Sequence, residues 1–232
     1  MTRHGAPRPP FLRSWLIWTA GFLAFPIAGL AGTAVAGRVD TPVAALLGGA
    51  VTGLVIGAGQ ALVSCRRLDP RRWVPASGIG MGLGLLLGAT TVGYRTSLAD
   101  LAMMGALTGL VLGAAQAVAL PHRTHRRWIW AAALPVLWAL GWTATTLGGI
   151  AVDQQFTVFG AYGALAFSAL SGLLLHRLLP PRATPTRRPQ RARGHARRRR
   201  PPRSRNATGR PTASRPITSS RPQPGAARVP GD

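Results

Sequence analysis

Long apolar runs separated by short polar segments dominate the first 179 residues. Each run is about 20 residues long, which lets a helix rising 1.5 Å per residue cross a hydrocarbon core of roughly 30 Å. The pattern predicts an all-α integral membrane protein. Its six transmembrane helices are expected at residues 14–37, 42–63, 74–93, 98–120, 128–149 and 156–175.

An internal repeat organises these runs. GAVTGLVIGAGQA, from Gly49 to Ala61, returns as GALTGLVLGAAQA, from Gly105 to Ala117, with ten of thirteen positions identical. Basic residues followed by Trp also open the first, third and fifth runs. We therefore expect three tandem two-helix repeats, related by an axis along the membrane normal, in a membrane domain of residues 14–179. Their approximate bounds are 13–65, 71–120 and 126–179.

Small residues recur at every fourth position of the repeated segment and fall on one helix face. Such a face allows close backbone approach, which drives helix association in lipid. We expect both copies to be packing faces, formed by Gly49, Thr52, Gly53, Gly57 and Gln60, and by Gly105, Thr108, Gly109, Gly113 and Gln116.

Gln60 and Gln116 are the most polar residues within the spans, and a carboxamide in hydrocarbon needs hydrogen-bond partners. In one interpretation they bond across helices, to Thr33, Thr90 or Thr91, and hold the bundle together. In the other they line a polar path for a neutral solute. The third repeat has no glutamine at the matching place.

Charge alternates between the connections and predicts the orientation. Arginines precede the first span and fill the second and fourth connections, so both termini should be cytoplasmic.

Tryptophans at the starts of the odd spans are expected to anchor these ends in the headgroup region, namely Trp15, Trp18, Trp73, Trp128 and Trp130. Trp138 and Trp142 lie deeper and should pack against a neighbouring helix. A cleaved signal ending at Ala36 is a rival for the first span, but cleavage would remove half of a repeat.

The two ends of the chain differ in character from the membrane domain. The chain has 28 Arg and no Lys, and 15 of the Arg lie in residues 180–232. We expect this tail to be disordered and cytoplasmic, and to contact anionic lipid headgroups. Nucleic-acid binding is not expected, because the tail lacks aromatic residues for base stacking. Residues 1–13 form a shorter basic segment.

The spans offer little for catalysis. The chain has no Glu and no H-E-x-x-H motif, and Ser171 and His176 lie about 140° apart on one helix. The aspartates Asp40, Asp100 and Asp153, one per repeat, are interpreted as solvated loop acids. Histidines and Cys65 match no metal-ligand spacing. We expect no catalytic, cofactor-binding or metal-binding residues.

The pattern G-x-x-x-G-x-x-Q occurs twice, each time before a basic loop and a tryptophan, Trp73 or Trp128. Over about residues 13–179, the chain resembles a family of uncharacterised multi-pass bacterial membrane proteins. In that family Trp often follows the Gln, whereas Ala61 and Ala117 follow here. The resemblance implies the membrane fold and no activity.

Together these features predict a non-enzymatic protein of the bacterial inner membrane, of structural or interaction type. Its partners would be the lipid bilayer and a second membrane protein or further copies of itself. The alternative is a transporter or channel for a small neutral solute along the pseudo-threefold axis.

Overall fold

A computed structural model describes residues 11–150, except 123 and 125, and residues 157–179. These residues form helices and contain no strand, which confirms the all-α class. A short 3₁₀ helix, Ala20–Leu23, joins the first two α-helices. The seven α-helices, in chain order α1 to α7, are Phe11–Thr19, Ala24–Ala36, Pro42–Val63, Pro70–Thr91, Leu98–Ala119, Arg127–Leu147 and Ala161–Leu178.

Several helical stretches are long and apolar enough to cross a membrane, which supports the membrane class. Their outward faces carry large apolar side chains, such as Leu30 and Leu62 at 74% and 81% exposed, as expected where lipid replaces water. Among the described residues, five stretches meet the length and composition expected of a membrane span, namely Phe11–Ala36, Pro42–Val63, Pro70–Thr91, Leu98–Ala119 and Arg127–Leu147. Residues 1–10 of the basic N-terminal segment, Asp153 and the tail from residue 180 lie outside the described residues.

Local capping sets three helix starts. The Thr41 side chain accepts from the backbone N–H of Ala44 at the start of α3, and Ser97 accepts from Asp100 at the start of α5. Asp69 accepts from the N–H of Arg71, and Pro70 follows as the first residue of α4. This cap explains why α4 begins at residue 70, a turn before the start expected from hydropathy at residue 74.

The first predicted span is not one continuous α-helix. The 3₁₀ helix Ala20–Leu23 separates α1 from α2, and Pro26 lies in the first turn of α2. Proline donates no backbone hydrogen bond, and its ring clashes with the carbonyl four residues earlier, here that of Phe22. The tighter 3₁₀ turn accommodates this conflict.

The helices pack in sequence around a common centre, and α1 contacts α7, so that the bundle closes on itself. Glycines allow the closest approaches. A Cβ atom on Gly109 of α5 would lie 2.5 Å from the carbonyl oxygen of Leu134 in α6. A Cβ on Gly49 of α3 would lie 2.9 Å from the carbonyl oxygen of Met81 in α4. Side chains at these positions would therefore force the helices apart.

Candidate functional site

Both buried glutamines accept a hydrogen bond from a tryptophan of the next helix. The Trp73 Nε1–H donates to Gln60 Oε1 over 3.0 Å, and the Trp130 Nε1–H donates to Gln116 Oε1 over 3.1 Å. Both indoles are fully buried, and the glutamines are 5% and 1% exposed. Each contact satisfies an amide oxygen and an indole N–H that would otherwise be costly in hydrocarbon.

A third contact of the same kind joins the first helix of the bundle, α1, to the last, α7. The Trp18 Nε1–H in α1 donates to Ser171 Oγ in α7 over 3.1 Å, and both side chains are buried. A hydroxyl thus replaces the carboxamide of the other two contacts. We call the three hydrogen bonds Trp18–Ser171, Trp73–Gln60 and Trp130–Gln116 the indole clamps.

The Gln116 clamp extends to a third helix. Gln116 Nε2 donates to Ser77 Oγ in α4 over 2.9 Å, while Gln116 Oε1 accepts from Trp130 in α6. A carboxamide has one acceptor oxygen and two N–H donors, so both its ends are used here. The rings of Trp73 and Trp130 lie 6.0 Å apart, which brings two clamps together. One polar network therefore connects α4, α5 and α6 inside the bundle.

The threonine partners expected from the sequence are not the ones observed. Thr90 Oγ1 donates to the carbonyl of Leu86, and Thr91 Oγ1 donates to that of Leu87, both within their own helix. Thr33, Thr90 and Thr91 are all exposed. Their helix faces are turned away from the glutamines, and threonine hydroxyls readily bond the carbonyl one turn earlier.

The expected headgroup anchoring is wrong for three of the five tryptophans, because Trp18, Trp73 and Trp130 are buried as clamp donors. Trp15 is half-buried and donates to the carbonyl of Ala169. Only Trp128 is largely exposed, at 61%. The repeated basic motif aligns Trp128 with Trp73. However, the clamp uses the residue two positions later, which a helix places on the opposite face.

A small cavity of about 10 Å³ lies beside Gln60 and Gln116. This volume is close to the minimum that holds a single water molecule. Its walls carry both glutamines and the bulky rings of Trp138 and Phe167, and Trp138 Nε1 is buried with no hydrogen-bond partner among the described residues. The remaining lining residues are Gly53, Ile56, Ser77, Met81 and Leu112. A neutral solute larger than water does not fit in this cavity.

The two repeated threonines are fully buried but make different contacts. Thr52 Oγ1 lies 3.2 Å from the carbonyl oxygen of Ala28 in α2 and 2.7 Å from Thr157 Oγ1. A hydroxyl has one proton, so Thr52 donates to the carbonyl and accepts from Thr157. Thr108 Oγ1 donates to the carbonyl of Met104 in its own helix, over 2.8 Å.

The sixth span was expected to begin at residue 156, but α7 begins at Ala161 and is preceded by a non-helical segment, residues 157–160, of which 157–159 are buried. Phe159 is 2% exposed, and its ring lies 4.8 Å from that of Trp138 and 6.0 Å from that of Trp142. The Trp138 ring also lies 5.9 Å from that of Phe167 in α7, and Trp142 lies against Gly105 of α5, which confirms that the two deep tryptophans pack against neighbouring helices. The aromatic and β-branched run ending at Gly160 was the available signal, since such residues favour extended backbone.

Asp100 and His176 take no part in the clamps. Asp100 accepts from the Ser97 hydroxyl over 2.6 Å and pairs with Arg95 over 3.1 Å, at an exposed helix start. The His176 ring packs on that of Phe11, while Ser171 serves the Trp18 clamp. Over the described ranges, no three His, Cys, Asp or Glu side chains converge to hold a metal ion.

The clamps, the cavity and the glycine contacts are the features from which function has to be inferred. No protein-family model, curated protein or solved structure matches this chain. What distinguishes the bundle is a buried polar network that joins helices.

Proposed function

We propose that this chain is a non-enzymatic inner-membrane protein of bacterial origin whose six helices, in three tandem hairpins, form a rigid structural or interaction unit. The observation that carries the proposal is the use of the buried polar groups. The amide oxygens of Gln60 and Gln116 accept hydrogen bonds from indoles of neighbouring helices, over 3.0 and 3.1 Å. Groups committed to helix–helix contacts stabilise a fixed arrangement.

The clamps also support the three-repeat organisation. Each one joins the first helix of a proposed hairpin to the second helix of the hairpin before it, and α1 follows α7 in this order. Three equivalent hairpins around one axis would produce this cyclic relation. Ser171 in place of a glutamine is the departure from equivalence, and it leaves the third clamp without a carboxamide.

Packing at the centre favours the structural role over a solute path. The cavity beside the glutamines is about 10 Å³, and bulky rings adjoin it. Glycines bring α5 within contact of the α6 backbone, so widening the centre would require the helices to separate. In this proposal the exposed outer faces contact lipid, and a membrane-protein partner or further copies of the chain bind there.

The proposed topology places both termini in the cytoplasm, together with the connections that follow α3 and α5. The described part of these connections is basic, with Arg66 and Arg126 exposed, and Arg71 is exposed at the start of α4. The described connections at the other end contain Arg38 and Arg95. Family membership, with the repeated G-x-x-x-G-x-x-Q hairpin, and lipid binding by the tail belong to the same proposal.

Transport assays of glutamine variants test the proposal directly. Full-length wild type, Gln60→Leu and Gln116→Leu are reconstituted in liposomes, and swelling is followed with water-sized to sugar-sized neutral solutes. A structural role predicts no flux above empty liposomes for any of them, and a lowered unfolding temperature for both variants in detergent. Wild-type flux that either variant abolishes, with an unchanged unfolding temperature, would replace the structural role by transport.

A further inference from the structure

The starts of α4 and α6 bring two basic connections together. The rings of Trp73 and Trp130, each within the first turn of its helix, lie 6.0 Å apart. The connection before α6 reaches α4 directly, because Arg72 Nη1 lies 3.1 Å from His122 Nε2. Arginine donates and has no acceptor atom, so the facing imidazole nitrogen accepts this hydrogen bond.

This region forms what we call the basic surface, made of Arg71, Arg72, His122, Arg126, Arg127 and Trp128. Its four guanidinium groups face little opposing charge. Of the aspartates in the described ranges, Asp69 alone lies at this end, and its carboxylate oxygen is 4.0 Å from Arg72 Nε. Such an excess of positive charge attracts an anion, and partial positive charge at the two helix starts adds to the attraction.

An exposed aromatic side chain gives this surface the character of a membrane interface. Trp128 is 61% exposed, and the Arg127 guanidinium carbon lies 5.6 Å from its ring centroid. An indole paired with arginine suits the headgroup level of a bilayer. Ile129 in the first turn of α6 and Ile79, between two and three turns into α4, are exposed as apolar surface that acyl chains can cover.

We propose that the basic surface binds the phosphate of an anionic phospholipid, with its acyl chains along the outer faces of α4 and α6. Arg72 and Arg127 contact the phosphate from two helices, and Trp128 lies beside the glycerol region. The inference rests on the bilayer placement in the proposed function, but not on the structural or interaction role. It differs from lipid contact by the tail, because it assigns the lipid to folded helix starts.

Quenching of tryptophan fluorescence tests this assignment. The full chain in non-ionic detergent is titrated with phosphatidylglycerol carrying brominated acyl chains, and with brominated phosphatidylcholine. We expect phosphatidylglycerol to quench at lower concentration. Because each interfacial arginine contributes roughly a fivefold change in affinity, Arg72→Gln with Arg127→Gln should weaken the phosphatidylglycerol titration roughly 25-fold. The variant with Arg72→Lys and Arg127→Lys keeps both positive charges and should retain most of the affinity for phosphatidylglycerol.

Matched controls separate this surface from general charge and from the tail. Arg38→Gln with Arg95→Gln removes the same charge from the other end and leaves the tail intact, so it should leave the titration unchanged. An equal loss in both pairs, or equal quenching by both lipids, would overturn the proposal. If millimolar inorganic phosphate fully prevents quenching by brominated phosphatidylglycerol, the surface is a site for free anions instead. If a short RNA prevents it, the surface is a nucleic-acid site. If the Gln pair fails to fold, Arg71→Gln with Arg126→Gln replaces it.

Discussion

Replacing Gln116 by Leu removes the carboxamide that connects three helices. The substitution keeps a similar volume but deletes the acceptor of the Trp130 N–H and the donor to Ser77. The Ser77 hydroxyl can rotate to a carbonyl one turn earlier in its own helix. The Trp130 N–H cannot follow, because its ring is fully buried against neighbouring helices. One buried donor therefore loses its partner.

The expected loss in the free energy of unfolding follows from the Trp130 N–H that is left without an acceptor. An unpartnered buried donor costs about 1–3 kcal/mol, and interhelical hydrogen bonds in membrane proteins average about 0.6 kcal/mol. Because Leu needs no partner itself, we expect a net destabilisation of about 1–2 kcal/mol. At about 2–4 °C per kcal/mol for a chain of this size, the unfolding temperature should fall by roughly 2–8 °C. Thr90→Val, which removes an exposed hydroxyl bonded within its own helix, should change it little.

A double-mutant cycle makes the reasoning refutable. Trp130→Phe alone leaves the Gln116 oxygen without its indole donor, while Trp130→Phe with Gln116→Leu removes both partners of the clamp. The double variant should be less destabilised than the sum of the single variants, by about 1 kcal/mol. The four proteins are compared by thermal unfolding in one detergent. Strictly additive effects would show that the 3.1 Å contact contributes no coupling and that the clamp does not hold these helices.

Two further predictions concern packing and topology. Gly109→Ala should lower the unfolding temperature by an amount corresponding to about 1–3 kcal/mol, since its Cβ would lie 2.5 Å from the Leu134 carbonyl oxygen. Gly29→Ala, whose Cβ would meet Val158 at an ordinary 3.4 Å, is the control, and equal losses would refute the close-packing argument. Cys65 is exposed after α3 and, if that end is cytoplasmic, should react with a membrane-impermeant maleimide only after cells are opened. A variant with Cys65→Ser and Thr96→Cys should react already in intact cells, because residue 96 lies on the other side of the membrane. Labelling of Cys65 in intact cells would show that the topology is opposite to the one proposed.

Hydropathy and spacing determined the class of this protein, because helix formation in lipid is a local requirement. Every backbone N–H and C=O in hydrocarbon must be satisfied within its own segment, so the length of an apolar run indicates a membrane-crossing helix. The predicted and observed bounds of α3 coincide at residues 42–63. The small residues at every fourth position likewise point to close contacts such as that of Gly109, since helix periodicity is also local.

Only the tertiary structure decided which polar groups meet. The sequence identified Gln60 and Gln116 as needing partners, but the partners depend on how neighbouring helices are rotated and how deep they lie. The repeat aligns Trp128 with Trp73, yet Trp128 is exposed and the clamp donor is Trp130, two residues later on the opposite helix face. The Trp18–Ser171 contact joins residues 153 positions apart, which no local pattern encodes. Apolar length acts along one helix, whereas hydrogen-bond partnership is a property of the assembled bundle.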